Sequence, residues 1–196
     1  MRTRYAMSGL LLGCFFWVAC NSDYVIRQKG YFRIDFPPHE YQLFNNPEFP
    51  YSFEYPVYAH IIRDTSFFDD EPENPYWINI DFPTLNGKFY ISYKDLRKND
   101  FSKLVDDAFK LTYKHTTKAS AIRDSLMLTP NGLSGIFFTV GGNAATGRQF
   151  FVTDSTRHFL RGALYFDATP NADSLNIVND FLEEDMKHLI NTLKLK

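Results

Sequence analysis

In the run His158-Phe159-Leu160-Arg161-Gly162-Ala163-Leu164-Tyr165-Phe166, apolar side chains occupy both parities of what is too short and too β-rich to be a helix. Leu160, Leu164 and Phe166 fall on one face and Phe159, Ala163 and Tyr165 on the other. A strand apolar on both faces belongs in the middle of a sheet, with a covering layer on each side. Any fold proposed for this chain must therefore supply two layers around one central sheet.

The short runs are separated by Pro, Asn and Gly, and together they read as strands near residues 31–36, 51–55, 77–82, 88–93, 119–128, 134–140, 149–153 and 158–167. In Ile78-Asn79-Ile80-Asp81-Phe82 the alternation is strict, so Ile78, Ile80 and Phe82 face a core while Trp77, Asn79 and Asp81 face away. Asn86-Gly87 is a tight-hairpin dipeptide, and Gly141-Gly142-Asn143 opens a longer hairpin loop ending near Gly147.

Two stretches change to helical spacing. Asp100 is a good N-cap for a helix with Phe101, Leu104, Val105, Ala108, Leu111 and Thr112 on its apolar side. A second helix follows Pro170, capped by Asn171 or Asp173, with a stripe Leu175, Val178, Leu182, Met186, Leu189 and Leu193, and with Glu183, Glu184 and Asp185 directed outward. The expected architecture is α+β: a mostly antiparallel sheet covered by two long amphipathic helices. Its order of elements resembles the PsbP-like fold.

The N-terminus carries a different message. Arg2 and Arg4 precede an apolar run from Ala6 to Ala19 that stops at Cys20 and polar Asn21-Ser22-Asp23. The run falls short of the roughly 20 residues needed to span a bilayer. Residues 1–19 read as a signal peptide, and Trp17-Val18-Ala19 before Cys20 resembles a lipobox in which Trp17 replaces the usual Leu. The alternative is an ordinary signal-peptidase site that leaves Cys20 as a free thiol. Cys14, the other cysteine, would leave with the peptide, so no exported disulfide can form, and acylation accounts for the lone Cys20. Residues 20–28 then form a lipidated tether of about 30 Å at full extension, and residues 29–196 one globular domain. The chain would be a lipid-anchored protein of the cell envelope, facing the periplasm.

Cleavage takes two of the 21 basic residues and none of the 23 acidic ones, for a net charge of about −4, which argues against a nucleic-acid partner. No two of His39, His60, His115, His158 and His188 have the spacing of a helical metal site, and Gly132-Leu133-Ser134-Gly135-Ile136 lacks the last glycine of a nucleophile elbow. The residues thus indicate no metal, no cofactor and no catalytic set. Two candidate binding regions remain. One is Asp154-Ser155-Thr156-Arg157-His158 with Arg161, where a charge inside a two-sided strand demands a partner. That partner is either a structural carboxylate such as Asp81 or Asp35, or a ligand in a pocket formed by Asp154, His158 and Arg161, which would make the chain a small-ligand binder or an enzyme. The other is the outward face of Trp77 and Asp81, either open as an interface anchor or covered by a helix.

Several segments together resemble the gliding motility lipoprotein GldD family of Bacteroidetes: Lys29-Gly30-Tyr31-Phe32-Arg33-Ile34-Asp35-Phe36-Pro37, Pro50-Tyr51-Ser52-Phe53-Glu54-Tyr55-Pro56, Trp77-Ile78-Asn79-Ile80-Asp81-Phe82-Pro83, Tyr113-Lys114-His115-Thr116, and the run from Thr153 to Phe166. The resemblance implies a non-enzymatic accessory protein of the gliding machinery, tied to type IX secretion. Its partners would be the membrane, through the N-terminal lipid, and other gliding or secretion proteins of the envelope. It carries over one site, the lipidated Cys20.

Overall fold

The computed structural model describes Gly30, residues 33–64 and residues 72–196; Cys20, Tyr31 and Phe32 lie outside the described residues. Asp35–Lys196 forms one compact unit. Its strands are β1 (Tyr41–Phe44), β2 (Tyr51–Pro56), β3 (His60–Arg63), β4 (Ile78–Phe82), β5 (Gly87–Asp95), β6 (Ala119–Leu128), β7 (Ser134–Gly142), β8 (Arg148–Thr153), β9 (His158–Phe166) and β10 (Lys194–Leu195). Helix α1 (Phe101–Tyr113) lies between β5 and β6, and α2 (Ala172–Thr192) between β9 and β10. Among the described residues no helix is long and apolar enough to cross a membrane.

Seven strands form one antiparallel sheet in the order β3-β4-β5-β9-β8-β7-β6, and β1-β2-β10 form a second. β9 occupies the centre of the large sheet, paired with β5 and β8, as its two apolar parities require. On the inner face Ile78, Ile80, Phe82, Phe89, Ile91, Phe150, Leu160 and Leu164 pack with Tyr51 and Phe53 of the small sheet and with Val178, Leu182, Met186 and Leu189 of α2. The inner covering layer is therefore a helix lying beside a small sheet. The outer face carries a smaller cluster of Phe138, Phe151 and Phe159, covered by Ala108, Leu104, Val105 and Phe109 of α1.

Two long covering helices are not what forms. α2 has 21 residues, but α1 has 13 and gives way to a 3-10 turn at Lys114–Thr117, in which the Thr116 hydroxyl bonds to the Tyr113 carbonyl. Phe101 and Leu111, expected on the apolar side of α1, are 39% and 40% exposed, because the helix seats only Ala108 and Thr112 deeply. Asp100 caps α1 by accepting from the Lys103 amide, and of the two candidate caps for α2 it is Asn171 that accepts, from the Asp173 amide.

Asn86 takes the left-handed conformation (φ 47°) that the Asn-Gly dipeptide favours, but it closes a 3-10 turn at Pro83–Leu85, and Gly87 is already the first residue of β5. The hairpin is thus wider than the two-residue turn expected. Residues 33–36 form no strand; the Phe36 ring instead stacks on Phe181 of α2 at 4.3 Å. β1, β3 and β10 have no counterpart in the sequence pattern. β1 and β3 are edge strands with little fully buried surface, so Leu43 and Ile62 face solvent and alternation is not imposed.

Candidate functional site

The register places Trp77, Asp81 and Arg161 on the outer face of the β4-β5-β9 region. Trp77 sits one residue before β4, opposite in parity to buried Ile78, and its indole Nε1 donates to the Tyr93 carbonyl at 2.9 Å. The Lys94 ammonium lies 5.2 Å from the centre of the Trp77 ring and also pairs with Glu73. Trp77 is half-buried and packs partly on the core. Its outer side shares a recess of about 370 Å³ with Ser92, Leu104 of α1 and Arg161.

Asp81 does not partner Arg161. It lies directly across from Lys88, with 3.5 Å between Lys88 Nζ and its carboxylate, a cross-strand ion pair of ordinary kind. The Arg161 guanidinium instead donates to Gln149 Oε1, which also accepts from the Thr112 hydroxyl at 3.3 Å. Among the described residues no carboxylate bonds to Arg161, and burial pushes its pKa down from the usual arginine value. The expected structural carboxylate, Asp81 or Asp35, is replaced by a neutral amide under α1.

Asp154, His158 and Arg161 do not converge. Asp154 Oδ1 accepts the backbone N–H groups of Thr156, Arg157 and His158 at 2.9 to 3.0 Å, which fixes the β8–β9 turn. Those bonds hold its carboxyl below the ordinary aspartate range against the opposing effect of burial. His158 points from β9 to the inner side, where its Nδ1 lies 2.8 Å from the Tyr93 hydroxyl, while Nε2 is 4.0 Å from Asp154. Being three residues from Arg161 on a strand, it faces the opposite way. Burial pushes the His158 pKa down and that of Tyr93 up to about 12, so both are neutral near pH 7. The set holds a turn together and offers no acid–base pair beside Arg161.

The densest polar cluster was not anticipated. Asp185, read as outward, is fully buried. Its Oδ1 lies 2.7 Å from His39 Nδ1 and accepts from the Tyr41 hydroxyl at 3.0 Å, and Oδ2 accepts from the Tyr58 hydroxyl. Burial and the Asp185 carboxylate push both tyrosine pKa values well above the ordinary range. Around it Tyr41 stacks on His188 at 3.5 Å, His39 on Phe181 at 4.4 Å, and His188 Nε2 lies 2.7 Å from Glu54. The sequence did hold a signal: Asp185 is three residues after Leu182 and four before Leu189, in phase with the buried stripe. Glu183, also read as outward, pairs with buried Arg148, and only Glu184 is exposed. The cluster clasps the segment ahead of β2 onto α2. Among the described residues no three His, Cys, Asp or Glu side chains are grouped to hold a metal ion.

Comparison with known proteins gives a family and a likeness to solved structures. The solution structure of cyanobacterial PsbP (CyanoP) from Synechocystis sp. PCC 6803 is similar at 9% identity and a TM-score of 0.45, covering 87% of this chain and 99% of that one. No curated protein matches the chain. The family model for the gliding motility lipoprotein GldD matches residues 21–195. With a match spanning nearly all of the sequence after Cys20, the chain belongs to the gliding motility lipoprotein GldD family.

Proposed function

We propose that this lipoprotein is a non-enzymatic accessory component of the gliding machinery, coupled to type IX secretion. It is acylated at Cys20, faces the periplasm, and docks envelope proteins through the outer face that carries Trp77, Asp81 and Arg161. The family match over residues 21–195 carries the gliding role. Docking draws support from the recess of about 370 Å³ between α1 and β5–β9, which is lined by an aromatic ring and by a guanidinium with a neutral partner. Separation of His158 from Arg161 by the thickness of the sheet favours docking over catalysis.

Cys20→Ser tests the anchor. One acyl chain binds a membrane only marginally and two or more hold it stably, so without the acylation point the protein appears as a soluble or uncleaved precursor and cells stop gliding. A variant still labelled by fatty acid and retained on membranes refutes the assignment of Cys20.

Trp77→Ala tests the docking face. Interface anchors often cost about 2 kcal/mol or more when truncated, a loss of roughly thirtyfold in affinity. Crosslinked envelope partners should fall by that order at equal cellular level of the variant. Because the indole also bonds to Tyr93, the unfolding free energy drops as well, by less than the 3–5 kcal/mol typical of a core Trp. Undiminished capture and gliding would move the docking surface elsewhere.

A further inference from the structure

The β8–β9 turn, the β5–α1 connection and the chain after β10 meet around a recess of about 340 Å³ whose rim is basic: Arg97, Lys98, Arg157 and Lys196, over a floor of Tyr93 and His158. Two carboxylates also line it, and both are already engaged. Asp95 is held by Arg97 through Nε and Nη2 at 2.9 and 2.6 Å, and Glu73 by Lys94 and by Asn99 at 3.0 Å. Asp154, beside His158, spends its Oδ1 on three backbone amides. Among the described residues neither Lys98 nor Arg157 forms a close ion pair with a carboxylate, although Lys98 is near enough to Glu73 and Asp95 to help lower the pKa of both, and Lys196 Nζ reaches only the Asn46 carbonyl, at 3.0 Å. Three cations from three separate segments therefore converge on one recess in a chain whose net charge is −2. Their convergence is local design rather than an average basic surface.

The recess is also stiff. The Leu96 amide donates to the Arg157 carbonyl at 2.9 Å, tying the two basic rims together, and the Lys196 amide donates to Pro50 at 2.9 Å. Ser155 sits at φ 61°, a left-handed conformation rare for a non-glycine residue, with its amide on Thr153 Oγ1 at 2.8 Å. Strain of this kind persists where surrounding bonds fix it, and here it sets the turn that presents Arg157.

We propose that this recess binds a phosphate monoester. A planar carboxylate is saturated by one guanidinium fork, whereas a tetrahedral phosphate offers oxygens in several directions and suits an arginine with two lysines. A water takes about 30 Å³ of liquid, so 340 Å³ admits the phosphate with a small esterified group against Tyr76 and Tyr93. Two sources carry this chemistry: a soluble phosphate ester and the headgroup of a phospholipid. The proposal is independent of docking at Trp77.

The test uses the full lipidated protein in a neutral detergent, with the His158 ring resonance as reporter. Glycerol 3-phosphate should shift it saturably, at least tenfold more tightly than acetate, with affinity falling steeply as salt rises. The double variant Lys98→Gln/Arg157→Gln should bind at least tenfold more weakly at an unchanged melting temperature. Moving the protein to phosphatidylcholine vesicles with or without phosphatidic acid then separates the sources. A shift that appears only with phosphatidic acid assigns a lipid headgroup, and a shift with glycerol 3-phosphate and none with phosphatidic acid assigns a soluble ester. No response to either phosphate, or a response the double variant leaves intact, overturns the proposal.

Discussion

Asp185→Ala should lower the unfolding free energy by about 3–5 kcal/mol, the range seen when one partner of a buried charged network is removed. The carboxylate has zero exposure and is the shared acceptor for the Tyr41 and Tyr58 hydroxyls and the neighbour of His39 Nδ1. Deleting it leaves those groups facing a cavity in the α2 interface, and each buried donor left unmade costs about 1–3 kcal/mol. For a domain of this size 1 kcal/mol corresponds to about 2–4 °C, so the melting temperature should fall by roughly 6–20 °C. Asp185→Asn keeps an acceptor oxygen and should lose less. Urea unfolding followed by tyrosine and tryptophan fluorescence measures both. A loss below about 1 kcal/mol for Asp185→Ala would mean that water replaces the carboxylate and that the segment from Phe36 to Phe44 is held by its ring stacks on Phe181 and His188.

Asp185 also marks where sequence reading stops. Residue type said outward and helical phase said inward; phase prevailed because three donors from β1, the β2–β3 connection and the segment before β1 arrive over sequence separations above 100 residues, which no local pattern encodes. The same limit applies to Arg161. Its burial was legible from the two-sided apolar run, but Gln149 was not an evident partner because a neutral amide is the less favourable solution for a buried guanidinium. Elements whose side chains meet a full core on at least one face, such as β4 and β9, were readable from parity. β3 was not, because only Ile61 of its His60-Ile61-Ile62-Arg63 is shielded from solvent. Trp77 was placed on the correct face by alternation, while its bond to Tyr93 depends on how far the indole reaches across β5.

Gly135 supplies the second large effect, at a position whose sequence context suggested only an incomplete nucleophile elbow. In β7 it lies opposite Val152 of β8, and a Cβ at this position would stand 1.9 Å from the Phe151 carbonyl oxygen and 3.0 Å from Val152 Cα. Both obstacles are backbone of a fully buried strand, so no rotamer change relieves the clash. Either β7 and β8 separate, breaking ladder bonds in the large sheet, or β8 shifts and disturbs Phe150 and Phe151, which serve the two cores on opposite faces. Gly162 offers a calibrated contrast: its added Cβ would meet Phe150 Cε1 at 2.2 Å, a side-chain atom that can be displaced, for the 1–3 kcal/mol typical of overpacking. Gly135→Ala should exceed that, costing more than about 4 kcal/mol and yielding protein that is largely insoluble or melts at least about 8 °C lower. Gly141→Ala, whose nearest obstacle is the Ser120 hydroxyl at 3.1 Å, should stay within about 1 kcal/mol in the same assay. Equal melting temperatures for Gly135→Ala and Gly141→Ala would show that β7 and β8 are not in the close backbone contact that excludes every side chain but hydrogen.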